Sequence, residues 1–119
     1  MSLNVYLNKH YWRSYDKGKT WEPDEDMVFH INITNNLQRM AIAIGVYDAI
    51  WEPKEPNMQA KEIIEPLTSG LAKLKRQPHI LLKYEDPGGW GTIESFKKTI
   101  EDYLNACVRY PESKIETTR

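Results

Sequence analysis

The chain has 119 residues, enough for one domain with its own core and short for two. Lys and Arg number 16 against 17 Asp and Glu, a formal net charge of -1, which argues against a nucleic-acid binder with a basic stripe and against a charged disordered tail. No apolar run approaches the ~20 residues of a membrane span, so no membrane partner is expected.

One cysteine, Cys107, excludes an intrachain disulfide. No secretory leader is read at the start of the sequence, and the expected compartment is the reducing cytoplasm.

Leu3, Val5 and Leu7 alternate with Asn4, Tyr6 and Asn8, the period of a strand with one buried face. From Lys9 to Asp26 the character changes. Tyr11, Trp12, Tyr15 and Trp21 stand among charges, Asp16-Lys17-Gly18-Lys19 signals a turn, and the acidic run Glu22-Pro23-Asp24-Glu25-Asp26 closes the stretch. A hairpin tip or long loop is expected there. Met27, Phe29, Ile31 and Ile33 then alternate with Val28, His30 and Asn32, the clearest strand pattern in the chain.

Thr34, Asn35 and Asn36 are helix-capping residue types, and Leu37, Met40, Ala41 and Ile44 follow at helical spacing, with Gly45 as the stop. Val46 to Trp51 extends this as a second short helix or a kinked continuation. Ala60, Ile63, Ile64, Leu67, Leu71 and Leu74 form the stripe of a longer helix starting near Asn57, with Pro66 expected to kink it. Pro78 opens a shorter helical turn. After the Asp86-Pro87-Gly88-Gly89-Trp90-Gly91 loop, Thr92 is placed to cap a last helix that buries Phe96, Ile100, Tyr103, Leu104 and Cys107. Lys114 to Thr118 has the pattern of a final strand, expected beside the Met27–Ile33 strand. The fold class is α+β: a single domain, residues 1–119, with a small sheet of the N-terminal strands and the C-terminal one, covered on one face by three or four helices.

No catalytic set emerges. His10, His30 and His79 form no metal-ligand spacing with one another or with Cys107, so no metal and no cofactor is expected. Gly88 to Gly91 precedes a helix but lacks the Gly-Lys-Ser/Thr of a phosphate loop. It fits a tight turn with Trp90 plugging the edge of the core. It also fits an anion site made by the amides of Gly89, Trp90 and Gly91. His30, Asn32, Asn35 and Asn36 cluster at a strand–helix junction. Capping needs only one of these asparagines, and the surplus suits recognition of a polar ligand. Trp12 and Trp21 beside Arg13, Lys17 and Lys19 suit a protein contact, a stacking surface, or a loop that folds back on itself.

Asn32-Ile33-Thr34 with Asn36-Leu37 and Met40-Ala41, Gly45 through Trp51, Gly89-Trp90-Gly91 with Phe96 and Tyr103 through Cys107, and Tyr110-Pro111 with Lys114-Ile115-Glu116 make a combined pattern. From about Val28 to Arg119 the chain resembles a group of small uncharacterised proteins of phages and prophage-bearing bacteria. Such proteins often have His at the position of Asn35 and Ser at that of Thr118, and the aromatic stretch from Lys9 to Asp26 is peculiar to this chain. The resemblance implies a mobile-element origin and brings no activity with it.

The leading functional expectation is a binding module without turnover, its partner a protein or a polar or anionic small ligand rather than nucleic acid. The alternative is a small hydrolase or nucleotide-processing enzyme with His30 as base, Asn32 or Asn36 orienting substrate, and the Gly88–Gly91 amides stabilising an anion. A homodimer built by edge-to-edge strand pairing is a third expectation.

Overall fold

The structure is a computed structural model describing residues 1–119. It has the expected α+β architecture. Strand β1 (Ser2–Arg13) and strand β2 (Glu22–Thr34) form one long antiparallel hairpin, and strand β3 (Lys114–Thr118) pairs antiparallel with the other edge of β1, giving the order β2-β1-β3. Leu3, Val5, Leu7, Ile33 and Ile115 are buried on one face, where alternation puts every second side chain.

The final strand therefore lies beside β1 and not beside the Met27–Ile33 strand. Leu7 is opposite Ile115, so both strands contribute to the same apolar layer. The far edge of β3 is closed by the preceding chain: Ile115 N donates to Met58 O at 2.9 Å, and Thr117 N donates to the Glu55 carboxylate at 2.6 Å.

Between the Leu7–Phe29 and Asn8–Met27 pairs the register slips, leaving Val28 as an extra residue in β2. A bulge of this kind bends a strand and raises its twist. It also breaks the alternation expected from Met27 to Ile33: Met27 lies opposite Asn8 and is largely exposed, while Phe29 and Ile31 pack against the core. Beyond the bulge the hairpin leaves the domain. No residue from Lys9 to Asp26 is buried. The molecule measures 59 × 26 × 20 Å with a radius of gyration of 16.5 Å, against about 13–14 Å for a compact chain of this length. The stretch read as a tip or loop is thus mostly strand, a two-stranded arm with a short turn at Ser14–Trp21.

Thr34 caps a 3₁₀ turn (Asn35–Leu37) that runs into helix α1 (Gln38–Ile44), and Gly45 ends α1 in the left-handed region at φ 80° before helix α2 (Tyr47–Trp51). A 3₁₀ turn (Ala60–Ile63) leads into helix α3 (Ile64–Arg76). Pro66 is the third residue of α3, inside its first turn, where a backbone amide has no intrahelical acceptor. The expected interior kink therefore has no hydrogen bond to break. Gly70 in α3 is required by close approach: a Cβ there would sit 2.2 Å from Val46 Cγ1.

A 3₁₀ segment (Pro78–Tyr84) precedes helix α4 (Ile93–Arg109), where Thr92 and Ser95 form the capping box anticipated from Thr92. Phe96, Ile100, Tyr103 and Cys107 are fully buried on α4, and Leu104 is only partly so. The helices cover one face of the sheet. The other face, with Asn4, Tyr6, His30 and Asn32, is left to solvent. No helix is long and apolar enough to cross a membrane.

Candidate functional site

The residues singled out in the sequence separate into three places. The first is the uncovered sheet face. Register sets Asn4 opposite Asn32 and Tyr6 opposite His30. Asn4 Oδ1 accepts from His30 Nε2 at 3.1 Å and from Asn32 Nδ2 at 3.0 Å, and Asn32 Nδ2 also donates to Ser2 Oγ at 2.9 Å. Because Asn4 Oδ1 can only accept, His30 carries its proton on Nε2. The His30 ring stacks on Tyr6 with centroids 4.7 Å apart. On the same face Glu116 pairs across from Tyr6 on the side away from His30 and accepts from Asn8 Nδ2 at 2.8 Å. Tyr6 therefore stands between the imidazole and the Glu116 carboxylate on this face. This face can hydrogen-bond a polar surface. Asn4 and Tyr6 were legible as exposed strand positions, but their partners depend on a register that the sequence does not spell out.

The second place is the junction after β2. Asn35 Oδ1 accepts from the indole of buried Trp51 at 3.3 Å, which makes Asn35 a structural residue. Asn36 faces the glycine loop. A Cβ on Gly91 would lie 3.0 Å from Asn36 Cβ, and Asn36 Nδ2 donates to Asp86 Oδ2 at 3.5 Å. The fold brings Asn36 and this loop together, as the enzyme alternative requires, without His30. Asn35, Asn36, Arg39, Tyr84 and Asp86 line a shallow concavity of about 470 Å³. It shares no residue with the groove that His30 lines.

Of the loop amides, those of Gly88 and Gly89 are occupied from within, and those of Trp90 and Gly91 are not. Gly88 N and Gly89 N donate to Asp86 at 3.2 and 2.9 Å, Ile93 N donates to the Glu85 carboxylate at 3.0 Å, and Ser95 N donates to Thr92 Oγ1 at 3.1 Å. The helix terminus thus already holds a carboxylate of its own chain, and an external anion would have to displace it. Trp90 is 73% exposed and does not plug the core edge.

The third place is the arm. Trp12, Tyr15 and Trp21 are 66%, 73% and 59% exposed. Arg13 organises one side: its Nε lies 3.1 Å from Asp24, its guanidinium bonds the Tyr11 hydroxyl, and it sits over the Tyr11 and Tyr15 rings. Across the strands His10 meets Glu25 at 3.3 Å. At the tip, Asp16 accepts from Thr20 N at 2.8 Å and from Thr20 Oγ1 at 2.5 Å, and those bonds hold its carboxyl below the usual range. The Thr20 bonds and Ser14 Oγ, which accepts from Gly18 N at 2.7 Å, tie the turn together. The arm is a formed ribbon on which Trp12, Tyr15 and Trp21 are each more than half exposed. Tyr15 and Arg13 join Trp12 and Trp21 here; composition alone flagged them, but only the ribbon geometry puts them on one projecting element.

No group of three or more His, Cys, Asp or Glu is placed to hold a metal ion. Cys107 is buried on α4, where loss of solvent pushes its thiol up to about 12, the state of a packing residue rather than a nucleophile.

The fold and these surfaces define a small α+β domain that carries a projecting β-ribbon. No protein-family model, curated protein or solved structure matches the chain.

Proposed function

We propose that the protein is a non-catalytic interaction module of phage or other mobile-element origin, acting in the reducing cytoplasm, and that its arm grips a protein partner. One observation carries this reading: Trp12, Tyr15 and Trp21 project on a ribbon that buries no residue of its own chain. Exposed Trp, Tyr and Arg are the residue types that dominate binding hot spots, where one truncation can cost 2 kcal/mol or more, roughly thirtyfold in affinity. Keeping such side chains in water brings nothing to folding. Arg13 is paired with Asp24, and the acids Glu22, Asp24, Glu25 and Asp26 lie on the same ribbon, which supports a protein partner over a phosphate backbone.

The test compares wild type with the double variant Trp12→Ala/Trp21→Ala in two measurements. Melting temperature is expected to be nearly unchanged. Quantitative affinity capture from the native host is expected to lose a specific partner. A large fall in melting temperature, or a partner held equally by both proteins, would show that the arm is not the contact.

A further inference from the structure

The outer edge of β2 is bare. Its only ladder is with β1, and no backbone hydrogen bond reaches it from any other element. Sheet edges normally carry Pro, Lys or other charges that block further pairing. The arm half of β2 has such residues: Pro23 with Glu22, Asp24, Glu25 and Asp26. The half that lies over the domain, from Met27 to Thr34, has no Lys, Arg, Asp, Glu or Pro. Beside this half runs a groove of about 420 Å³, walled by Phe29 and Ile31 on one side and by Asp102, Ala106 and Arg109 of α4 on the other. The far edge of the sheet is closed by the chain from Glu55 to Ala60, so β2 is the one edge open to addition.

We infer that this edge is occupied by a second copy of the chain, through antiparallel pairing of the two β2 strands about a two-fold axis near Ile31. The segment is complementary to itself. Centred on Ile31, the ladder sets Ile31 against the partner's Ile31 and Phe29 against the partner's Ile33, both on the helix-covered face. His30 falls against the partner's Asn32 on the polar face. These are aromatic–β-branched and polar–polar cross-strand pairs, the stabilising kinds. The ladder ends where the bulge at Val28 and the acids beyond it begin, and at the 3₁₀ turn starting at Asn35.

Charge points to the same occupant. Asp102 and Arg109 are two helical turns apart on the groove wall. Arg109 has no carboxylate partner in its own chain, and Asp102 pairs only with Lys98, one turn away at 3.2 Å. A two-fold axis runs the two α4 helices antiparallel, so each Asp102 faces the partner's Arg109 and one complementary pair becomes two. The arms leave at opposite ends of the resulting six-stranded sheet and stay free, so the dimer stands or falls independently of the arm's role.

Light scattering on the full chain across micromolar to millimolar concentration measures the mass. The expected value is twice 14.0 kDa. Asp102→Arg and Arg109→Asp, each alone, set like charges across the axis and are expected to raise the dimer dissociation constant about tenfold or more. Both side chains are solvent-accessible, and circular dichroism checks that the variants stay folded. The double variant Asp102→Arg/Arg109→Asp restores opposite charges and is expected to restore the dimer. A wild-type monomer at every concentration overturns the inference and leaves the edge to a foreign strand. A dimer that both single variants leave intact also overturns it, because the two copies then meet elsewhere.

Discussion

Asn35 and Trp51 are joined by a 3.3 Å hydrogen bond from the indole nitrogen to the amide oxygen. Trp51 is among the largest fully buried side chains, and Asn35 satisfies its only polar atom at the point where β2 turns into the helical layer. Arg119 adds a second tie to the same residue, donating to Trp51 O at 2.6 Å. The junction read from sequence as a ligand site thus divides between one asparagine that serves the core and one, Asn36, that faces solvent.

That division is measurable. Asn35→Ala strands a buried indole N–H and is expected to cost about 1–3 kcal/mol, a fall in melting temperature of roughly 3–6 °C per kcal/mol in a domain this size. Asn36→Ala removes only a long, exposed contact to Asp86 and is expected to stay within about 0.5 kcal/mol of wild type. Thermal or urea unfolding of the two variants side by side checks this. Equal losses would contradict the assignment.

Gly70→Ala tests the packing of α3 beneath the α1–α2 corner. The new methyl group meets Val46 Cγ1 at 2.2 Å, with Ile44 O 3.4 Å away. Overpacking of this kind costs about 1–3 kcal/mol. The helix-propensity gain of about 1 kcal/mol from replacing glycine offsets part of it. A net destabilisation is expected in denaturant unfolding, and it is expected to shrink in the double variant Gly70→Ala/Val46→Ala, which makes room for the methyl.

Much of the fold follows from pattern. Leu3, Val5 and Leu7 mark β1 because period two survives wherever one face is buried, and the stripe from Phe96 to Cys107 with Thr92 before it marks α4 and its cap. Other features depend on pairings between distant residues. The arm is invisible as strand because Trp12, Arg13 and Glu22 form a ladder by backbone bonds that side-chain alternation does not report. Val28 as a bulge follows from register against Leu7 and Asn8, which no local window contains. The contact of Asn36 with Gly91 closes a loop of more than fifty residues, so the sequence could nominate both positions for one site but not show that His30 lies outside it.

Alkaline titration probes the core around α4. Burial raises the Cys107 thiol from 9.0 to about 12, and burial also raises the Tyr103 phenol well above 10.0. Below pH 9 the thiol is protonated in both the folded and unfolded chain and stability does not change with pH on its account. Above that value the unfolded chain releases a proton that the folded chain keeps, so stability falls as pH rises toward about 12. Unfolding free energy measured from neutral to strongly alkaline pH is expected to decline across that window, with a shallower decline in Cys107→Ala. At neutral pH the native thiol is expected to resist a thiol reagent that modifies it at once in denaturant.

Shortening the arm removes the proposed partner contact in a single step. Lys9 and Asp26 are paired across the ribbon, so a chain in which an Asn-Gly turn joins them keeps the sheet and loses Trp12, Tyr15 and Trp21 together. Melting temperature and partner capture are measured on the same preparation. A melting temperature close to wild type and complete loss of the captured partner are expected. Unfolding of the shortened chain, or capture that survives the deletion, would contradict that contact.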